Sequence, residues 1–559
     1  MHFRQAARTK ELSCRPPRDI ARHVCLLATV LLVAASGGCM TGCREYIANG
    51  FKVGPNYRKP AVPISDNWID SRDQRISNDP PIENAWWQVF RDPVLDALVQ
   101  NAYAQNLTLR EAGFRVVESR AILGIAVGNW FPQTQQAVGA YSRQQLSQEV
   151  GFVAGGGGPG FPRNFSVWSG GAQLAWELDF WGRFRRSIEA ADAELDASVE
   201  NYDDVLVVLL SDVAEAYVDI RTLEQRIRYA VANVGSQTGS LDLANIKLDE
   251  GAASKLDVTE AKSNVAQTEA TIPVFETRLR QAQNRLCVLM GMPPQDLTRL
   301  LGTTTPIPRA PPMVAVGIPA ELIRRRPDVR RAERLVAAQS ARIGIAESDM
   351  YPAFTINGSI FVRASQFSDL FKGSAIGGNV GPSFNWNILN YGRLRNYVAV
   401  EQSRFMQLAT SYQNVVLNAN REAEDSIVAF LKSQRQAQIL REGVKAAEES
   451  RNLVNALYRG GRADFGRVFF AEYFLVQQQD ALAQSEGEIA LSLVRLYRAL
   501  GGGWQIRLDP AGAGSWIEPV PLPDVNQQEL PAPEAVPPPP PNPFPGAGAA
   551  TPAKTPQVP

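Results

Sequence analysis

From Trp168 to Phe180 every even position is apolar or small (Trp168, Gly170, Ala172, Leu174, Trp176, Leu178, Phe180), while the odd ones include Ser169, Gln173, Glu177 and Asp179. A period of two predicts a strand with one apolar and one polar face. The same alternation recurs at Phe354, Ile356, Gly358, Ile360 and Val362, and again at Phe384, Trp386 and Ile388. A fourth run, Gln133 to Leu146, alternates less cleanly. After Gly182 the spacing changes to alternating three and four: Ile188, Ala191, Leu195, Val199, Tyr202, Leu206, Leu209, Val213, Ala216, Ile220, Leu223, Ile227. That is coiled-coil spacing, and with no proline before Gly251 it predicts a helix of about 100 Å.

The pattern is written twice. Trp176 to Arg185 (WELDFWGRFR) matches Trp386 to Arg395 (WNILNYGRLR), and the offset of 210 recurs at Gly251 and Gly461, Ala261 and Ala471, Gly291 and Gly501. A constant offset over that span marks an internal duplication. Upstream the offset is 220, Trp130-Phe131-Pro132 facing Met350-Tyr351-Pro352, and the surplus fits the glycine-rich stretch 151–160, expected at an exposed loop tip. Each copy thus reads as helix, strand pair, long helical hairpin. The flanking stretches Pro93 to Asn129 and Pro319 to Asp349 are helical by pattern. Pro273 should kink the first returning helix, whereas the equivalent position holds Ala483. The turns are marked by Gly251 then Ser254, and by Gly460-Gly461 then Asp464, a helix stop followed by an N-cap in each.

Strands of this length suit either a soluble sandwich or an outer membrane, where about 9–11 tilted residues span the apolar layer. Aromatic residues near the strand ends (Phe161, Phe165, Trp168, Phe180, Trp181, Tyr391) favour the membrane. Four strands leave open edges, which lipid does not tolerate, so the barrel must be shared between chains.

Composition narrows the chemistry. The chain has 559 residues with 57 basic and 57 acidic side chains, a balance that gives no reason to expect a nucleic-acid partner. The basic run Arg324 to Arg326 with Arg330-Arg331 is interleaved with Glu321, Asp328 and Glu333, as on a charge-paired helix face. Basic residues from Arg4 to Arg22, an apolar run Val24 to Ala35 and small residues before Cys39 and Cys43 read as an export signal. Either cysteine could carry a lipid, Cys39 by its distance from the apolar run and Cys43 by the residues before it; an ordinary signal with neither modified is the alternative. Both histidines, His2 and His23, fall in that signal, which removes the usual metal ligand and general base from the mature chain. The stretch at 155–160 lacks the Lys and Ser or Thr of a phosphate loop. No catalytic, cofactor or metal site stands out, although an enzyme working with carboxylates or lysine stays open on composition alone.

Four stretches, Lys52 to Pro60 (KVGPNYRKP), Trp86 to Leu95 (WWQVFRDPVL), Arg325 to Glu333 (RRPDVRRAE) and Ala499 to Trp504 (ALGGGW), closely resemble the outer membrane factors, the TolC-like efflux channels, and within them the NodT-type lipoprotein branch that works with RND pumps. The resemblance spans residues 50 to 504. It implies an α+β membrane protein: a homotrimer with a β-barrel of four strands per chain, continued by a periplasmic α-helical barrel. It also implies an outer-membrane lipid environment, a periplasmic adaptor and an inner-membrane RND transporter as partners, and no chemistry of its own. Expected boundaries are 1–43 for the signal, 44–91 for an N-terminal periplasmic segment, 92–300 and 319–503 for the repeats with β-hairpins at 132–180 and 352–390, 301–318 for a linker, and 504–559 for a proline-rich tail.

The family closes its periplasmic end at the hairpin tips with a V-x-V-L-D-A type run bearing acids. Here the second copy reads Phe465-Gly466-Arg467-Val468-Phe469-Phe470, so the acids are replaced, while the first keeps Asp257 and Glu260. Asp257 and Arg467, equivalent across the duplication, are expected to meet at a gate plugged by Phe470; alternatively Asp257 is only the acid of a capping box begun by Ser254. The tips at Gly251, Ser254, Gly461 and Asp464 are the expected adaptor contacts. An exit duct for protein secretion and a structural envelope spacer are the competing functions.

Overall fold

The computed structural model describes residues 42–77, 79, 84–145, 164–302 and 306–508. In chain order the elements are α1 (Cys43–Ala48), β1 (Ile76–Ser77), a 3-10 turn at Trp86–Phe90, α2 (Pro93–Gln105), α3 (Leu107–Gly128), β2 (Thr134–Gln145), β3 (Asn164–Leu178), α4 (Arg183–Asp249), α5 (Lys255–Glu269), α6 (Thr271–Leu289) and α7 (Thr298–Leu301). The second half holds β4 (Val314–Ala315), α8 (Pro319–Arg325), α9 (Pro327–Ser348), β5 (Ala353–Ala364), β6 (Ile376–Asn385), α10 (Arg393–Arg459) and α11 (Phe465–Ala499). Residues up to Gln505 form one compact unit. The export signal with Cys39, the glycine-rich stretch 151–160, Phe161 and residues 509–559 lie outside the described residues.

α4 and α10 are each 67 residues long, about 100 Å at 1.5 Å per residue. They occupy corresponding places in the two repeats, each entered from the sheet through a glycine with positive φ, Gly182 and Gly392. The returns differ. α11 runs unbroken for 35 residues through Ala483, but the first return splits at Ala270 into α5 and α6. Pro273 sits in the first turn of α6, where a missing N–H costs nothing, and its ring would collide with the Glu269 carbonyl if the helix continued upstream. The break therefore falls three residues before the proline.

Two flanking stretches expected as single helices are also divided. Asn106 stops α2 and caps α3, its Oδ1 accepting from Leu109 N at 2.8 Å, while its Nδ2 donates to the Leu289 carbonyl at 2.8 Å. Arg326, forced extended by the proline that follows, separates α8 from α9. The last strand stops at Asn385, so Trp386 and Ile388 continue the alternation but not the sheet; Trp386 instead donates from Nε1 to the Met350 carbonyl at 3.0 Å. Trp504, placed at the head of the tail on composition, belongs to the packed body, its Nε1 donating to the Arg325 carbonyl at 3.2 Å and the Arg330 guanidinium lying 4.6 Å over its ring.

Around the middle of α4, where Leu206, Leu210, Val213, Ala214, Tyr217 and Ile220 are fully buried, shorter elements form a belt. β1 pairs in parallel with β4, so the expected linker is part of a two-stranded sheet. Three of the four motifs make contacts of this belt with the long helices, and the fourth, around Gly54, packs at the sheet end of α4. Trp86 is fully buried and stacks on Tyr497 at 5.3 Å. Tyr217 donates its hydroxyl to Asp92 at 2.6 Å. Gly54 packs so closely on Gly344 that a Cβ there would lie 2.4 Å from the Gly344 Cα. Arg186 holds the same corner, donating to the carbonyls of Val53 and Gly54 at 3.1 and 2.8 Å.

Candidate functional site: the sheet and the helical tips

The sheet order is β2-β3-β5-β6, antiparallel throughout, with β3–β5 joining the two repeats. Because opposed residues share a face, the register sorts side chains across all four strands. On one face Tyr141, Trp168 and Ala364 align, as do Ala137, Ala172, Ile360 and Gly378, then Leu174, Gly358 and Val380, and finally Leu178, Phe354 and Phe384. The other face carries the row Gln136, Gln173, Ser359, Asn379 and the row Glu177, Thr355, Ser383. This second face is laced by hydrogen bonds: Gln173 Nε2 to Gln136 Oε1 at 2.8 Å, Asn357 Nδ2 to Ser383 Oγ at 2.8 Å, and Ser359 Oγ to Asn379 Oδ1.

Aromatic residues close the apolar face at both ends. At one end Tyr141 packs on Trp168 at 4.4 Å and Trp168 on Phe367 at 5.1 Å; at the other Phe180 meets Phe354 at 5.5 Å and Trp181 stacks on Tyr351 at 4.5 Å. Ten residues of strand separate Trp168 from Leu178. At about 3.4 Å per residue and a tilt of about 40° that spans roughly 25 Å, the height of an outer-membrane apolar band. Among the described residues, β2 and β6 each have one unpaired edge.

At the far ends of the long helices both turns are Schellman motifs: Ala252 N donates to the Lys247 carbonyl at 2.7 Å and Arg462 N to the Leu457 carbonyl at 2.8 Å, with Gly251 and Gly461 at φ of +72° and +68°. The returning helices are capped differently. Ser254 and Asp257 form the full reciprocal box, Asp257 N donating to Ser254 Oγ at 3.3 Å and Ser254 N to Asp257 Oδ2 at 3.1 Å. At the second tip Asp464 accepts from Arg467 N at 3.1 Å, and Arg467 has no carboxylate with which to return the bond. Asp257 is therefore a capping residue, and among the described residues of one chain it forms no ion pair with Arg467. Arg467 and Phe470 are both exposed, Phe470 at 70 %. Asp464→Ala should loosen the first turn of α11 by about 1 kcal/mol, seen as roughly fivefold faster amide exchange at Arg467, with a smaller effect at the first tip for Asp257→Ala, where Ser254 remains.

Above the tips the α11 core repeats every three and four residues as Phe465, Val468, Glu472, Leu475, Gln479 and Leu482. Polar side chains thus interrupt the apolar seam a heptad apart. Glu472 accepts from Ser240 Oγ at 2.6 Å and Asn264 Nδ2 at 3.0 Å, and burial pushes its carboxyl above the ordinary range against these hydrogen bonds. Gln479 accepts from Asn233 at 2.8 Å and donates to Glu448 at 3.0 Å. The Glu472 layer separates the tip cluster of Ala244, Val258, Tyr458, Phe465 and Val468 from the cluster of Val444, Ala447, Leu475 and Leu482. The only signal of these two polar layers in the sequence is a Glu and a Gln at core spacing, seven residues apart.

Comparison with known proteins places this arrangement. The sequence profile described as outer membrane efflux protein matches residues 98–292 and 318–502, one match per repeat. Nodulation protein T of Rhizobium leguminosarum bv. viciae is 31 % identical over 456 residues, 81 % of this chain and 90 % of that protein. The pyoverdine export outer membrane protein OpmQ of Pseudomonas putida is 29 % identical over 87 % of this chain and 98 % of its own length. Among solved structures, the outer-membrane channel OprN superposes with a TM-score of 0.75 at 30 % identity, covering 81 % of this chain and 99 % of its own. The fold is that of the TolC-like channels, whose place is the outer membrane with the helices reaching into the periplasm. With a profile match over more than half its length and a relative above 30 % identity across most of both sequences, the chain belongs to the outer membrane efflux protein family.

Proposed function

We propose that three copies of this chain close their sheets into one barrel and their long helices into one tube, forming the exit duct of a tripartite efflux system that passes small molecules from an inner-membrane RND transporter and a periplasmic adaptor to the outside. The observation that carries this reading is a sheet with one apolar face, one polar face and two free edges, feeding directly into two 67-residue helices. Lipid forbids such edges, and a shared barrel removes them. The polar face then lines water and the tube inherits its lumen. Accumulation of drugs in a deletion strain, compared with loss of a secreted protein, tests efflux against secretion; absence of channel current from the purified protein would leave only a spacer.

In this reading the tips around Gly251, Ser254, Gly461 and Asp464 meet the adaptor, and Asp257, Glu260, Arg467 and Phe470 form the gate. Arg467 is the informative member. A cation in the first turn of a helix opposes the helix dipole by about 0.3–1 kcal/mol, so its position is explained by what it faces in the assembled tube rather than by helix stability. Removing the Phe470 ring or the Arg467 charge should raise closed-state current about fivefold or more, the factor that 1 kcal/mol produces. Unchanged leakage in both variants would move the gate elsewhere. Anchoring by acylation at Cys39 or Cys43 belongs to the same proposal; α1 begins at Cys43, directly after small residues. Mass spectrometry of the mature N-terminus distinguishes the two cysteines from an unmodified chain.

A further inference from the structure

The four strands carry three charged side chains: Arg143, Glu177 and Arg363. Arg143 shares a face with Tyr141, on the apolar side and beyond the aromatic cluster at that end. Glu177 and Arg363 point to the polar side, and Glu177 is neutralised near the helix end by Arg183 at 3.4 Å. Arg363 has no ionic partner among the described residues and is exposed. What it does have is a seat. Its guanidinium carbon lies 4.5 Å over the ring of Phe361, two residues earlier on the same face.

That ring lies along the wall over its cross-strand neighbour Gly377, while Gly171 on the other side lets the two backbones come close at Phe361. A Cβ at Gly377 would stand 2.7 Å from Phe361 Cε2, and one at Gly171 would stand 2.8 Å from the Phe361 Cα. Any side chain at Gly377 would push the ring off the wall, so this glycine makes room for a flat aromatic plate with a cation held on it.

We propose that Arg363, seated on Phe361, is the residue that sets charge preference in the outer half of the lumen, favouring anionic small molecules on their way out. The inference rests on the shared-barrel reading, in which each chain contributes one such cation to a ring. A water-filled passage with low-dielectric walls concentrates the field of an unpaired charge, and rings of charged side chains are a general device of pore selectivity. With a Debye length of about 8 Å at physiological salt, each guanidinium acts mainly on its own stretch of the wall, so the preference is strongest beside Arg363 and weakens as salt rises.

The test is chemical and reaches the site from outside, independent of the gate. Ser169 stands directly opposite Arg363 on the polar face, and Ala172 on the apolar face. In the full chain in outer membranes, Ser169→Cys should react with anionic and cationic methanethiosulfonates while Ala172→Cys should not, each compared with the parent chain. The ratio of anionic to cationic rates at Ser169→Cys should fall about fivefold in Arg363→Gln, fall further in Arg363→Glu and be preserved in Arg363→Lys. An unchanged ratio in Arg363→Gln and Arg363→Glu overturns the charge assignment and leaves the barrel standing. Labelling of Ala172→Cys with Ser169→Cys inert overturns the barrel reading itself, and the inference with it.

Discussion

Ile360→Arg is expected to remove the protein from the outer membrane. Ile360 is 61 % exposed in the single chain and lies in the row Ala137, Ala172, Ile360, Gly378, midway between the two aromatic ends of the apolar face. An arginine at the midplane of a barrel's lipid face costs about 2–4 kcal/mol, and a shared barrel incurs that cost once per chain. Domains of ordinary stability have about 5–15 kcal/mol to lose, so the summed penalty is of the size of the whole margin. Ser359→Arg, one residue away, is the control. Its neighbours are Gln173 and Asn379 on the wet face, where a charge stays hydrated. Fractionation should find Ile360→Arg absent from outer membranes and Ser359→Arg at parental levels. Equal tolerance of both would refute the assignment of faces.

Arg326→Ala should be the most damaging single change in the belt. The Arg326 guanidinium is nearly buried and reaches three elements: Asp328 at 2.9 and 2.7 Å, Glu422 of α10 at 2.8 Å, and the carbonyl of Ala499 at the end of α11 at 3.0 Å. Gly501, at φ +71°, lets the chain after α11 pass close to the Arg326 backbone; a Cβ there would sit 2.9 Å from the Arg326 Cα. Truncation strands two carboxylates and one carbonyl. Breaking a buried pair from one side costs about 3–5 kcal/mol, and because Glu422 is half exposed the lower end applies here, about 3 kcal/mol. Lysine should restore little of this, since one ammonium cannot serve three acceptors in the guanidinium's plane. Limited proteolysis should show α10 released from the belt in Arg326→Ala while the strands stay protected. An unaltered cleavage pattern would mean that the clamp is redundant with the Trp504 contact to Arg330.

The elements that periodicity dictates were legible along the chain. Alternation over Trp168 to Phe180 marks a strand because one face must meet lipid, and the three-and-four spacing after Gly182 marks a helix because one stripe must meet other helices. Irregular places were harder, and for specific reasons. The extension of alternation to Trp386 and Ile388 failed because Trp386 finds a carbonyl partner in Met350 instead of continuing the ladder. Asn106 and Arg326 break helices through long-range acceptors, Leu289 and Ala499, that no local window contains. At the tips the capping role of Asp257 could be read from its spacing to Ser254, whereas in the proposed assembly the residues facing Arg467 come from neighbouring chains and have no signature in one sequence. The Arg363 seat has no local signature because its cause, Gly377, lies on a different strand.

The free edges of β2 and β6 also bear on how the protein is made. Twelve and ten residues of strand, with donors and acceptors turned outward along one side, cannot rest in hydrocarbon, nor wait long in water beside other such edges. On the shared-barrel proposal, a lone chain has no stable station on either side of the membrane boundary. On that proposal, assembly is a race between pairing with its own kind and pairing with anything else, so yield should follow the rate at which chains are supplied.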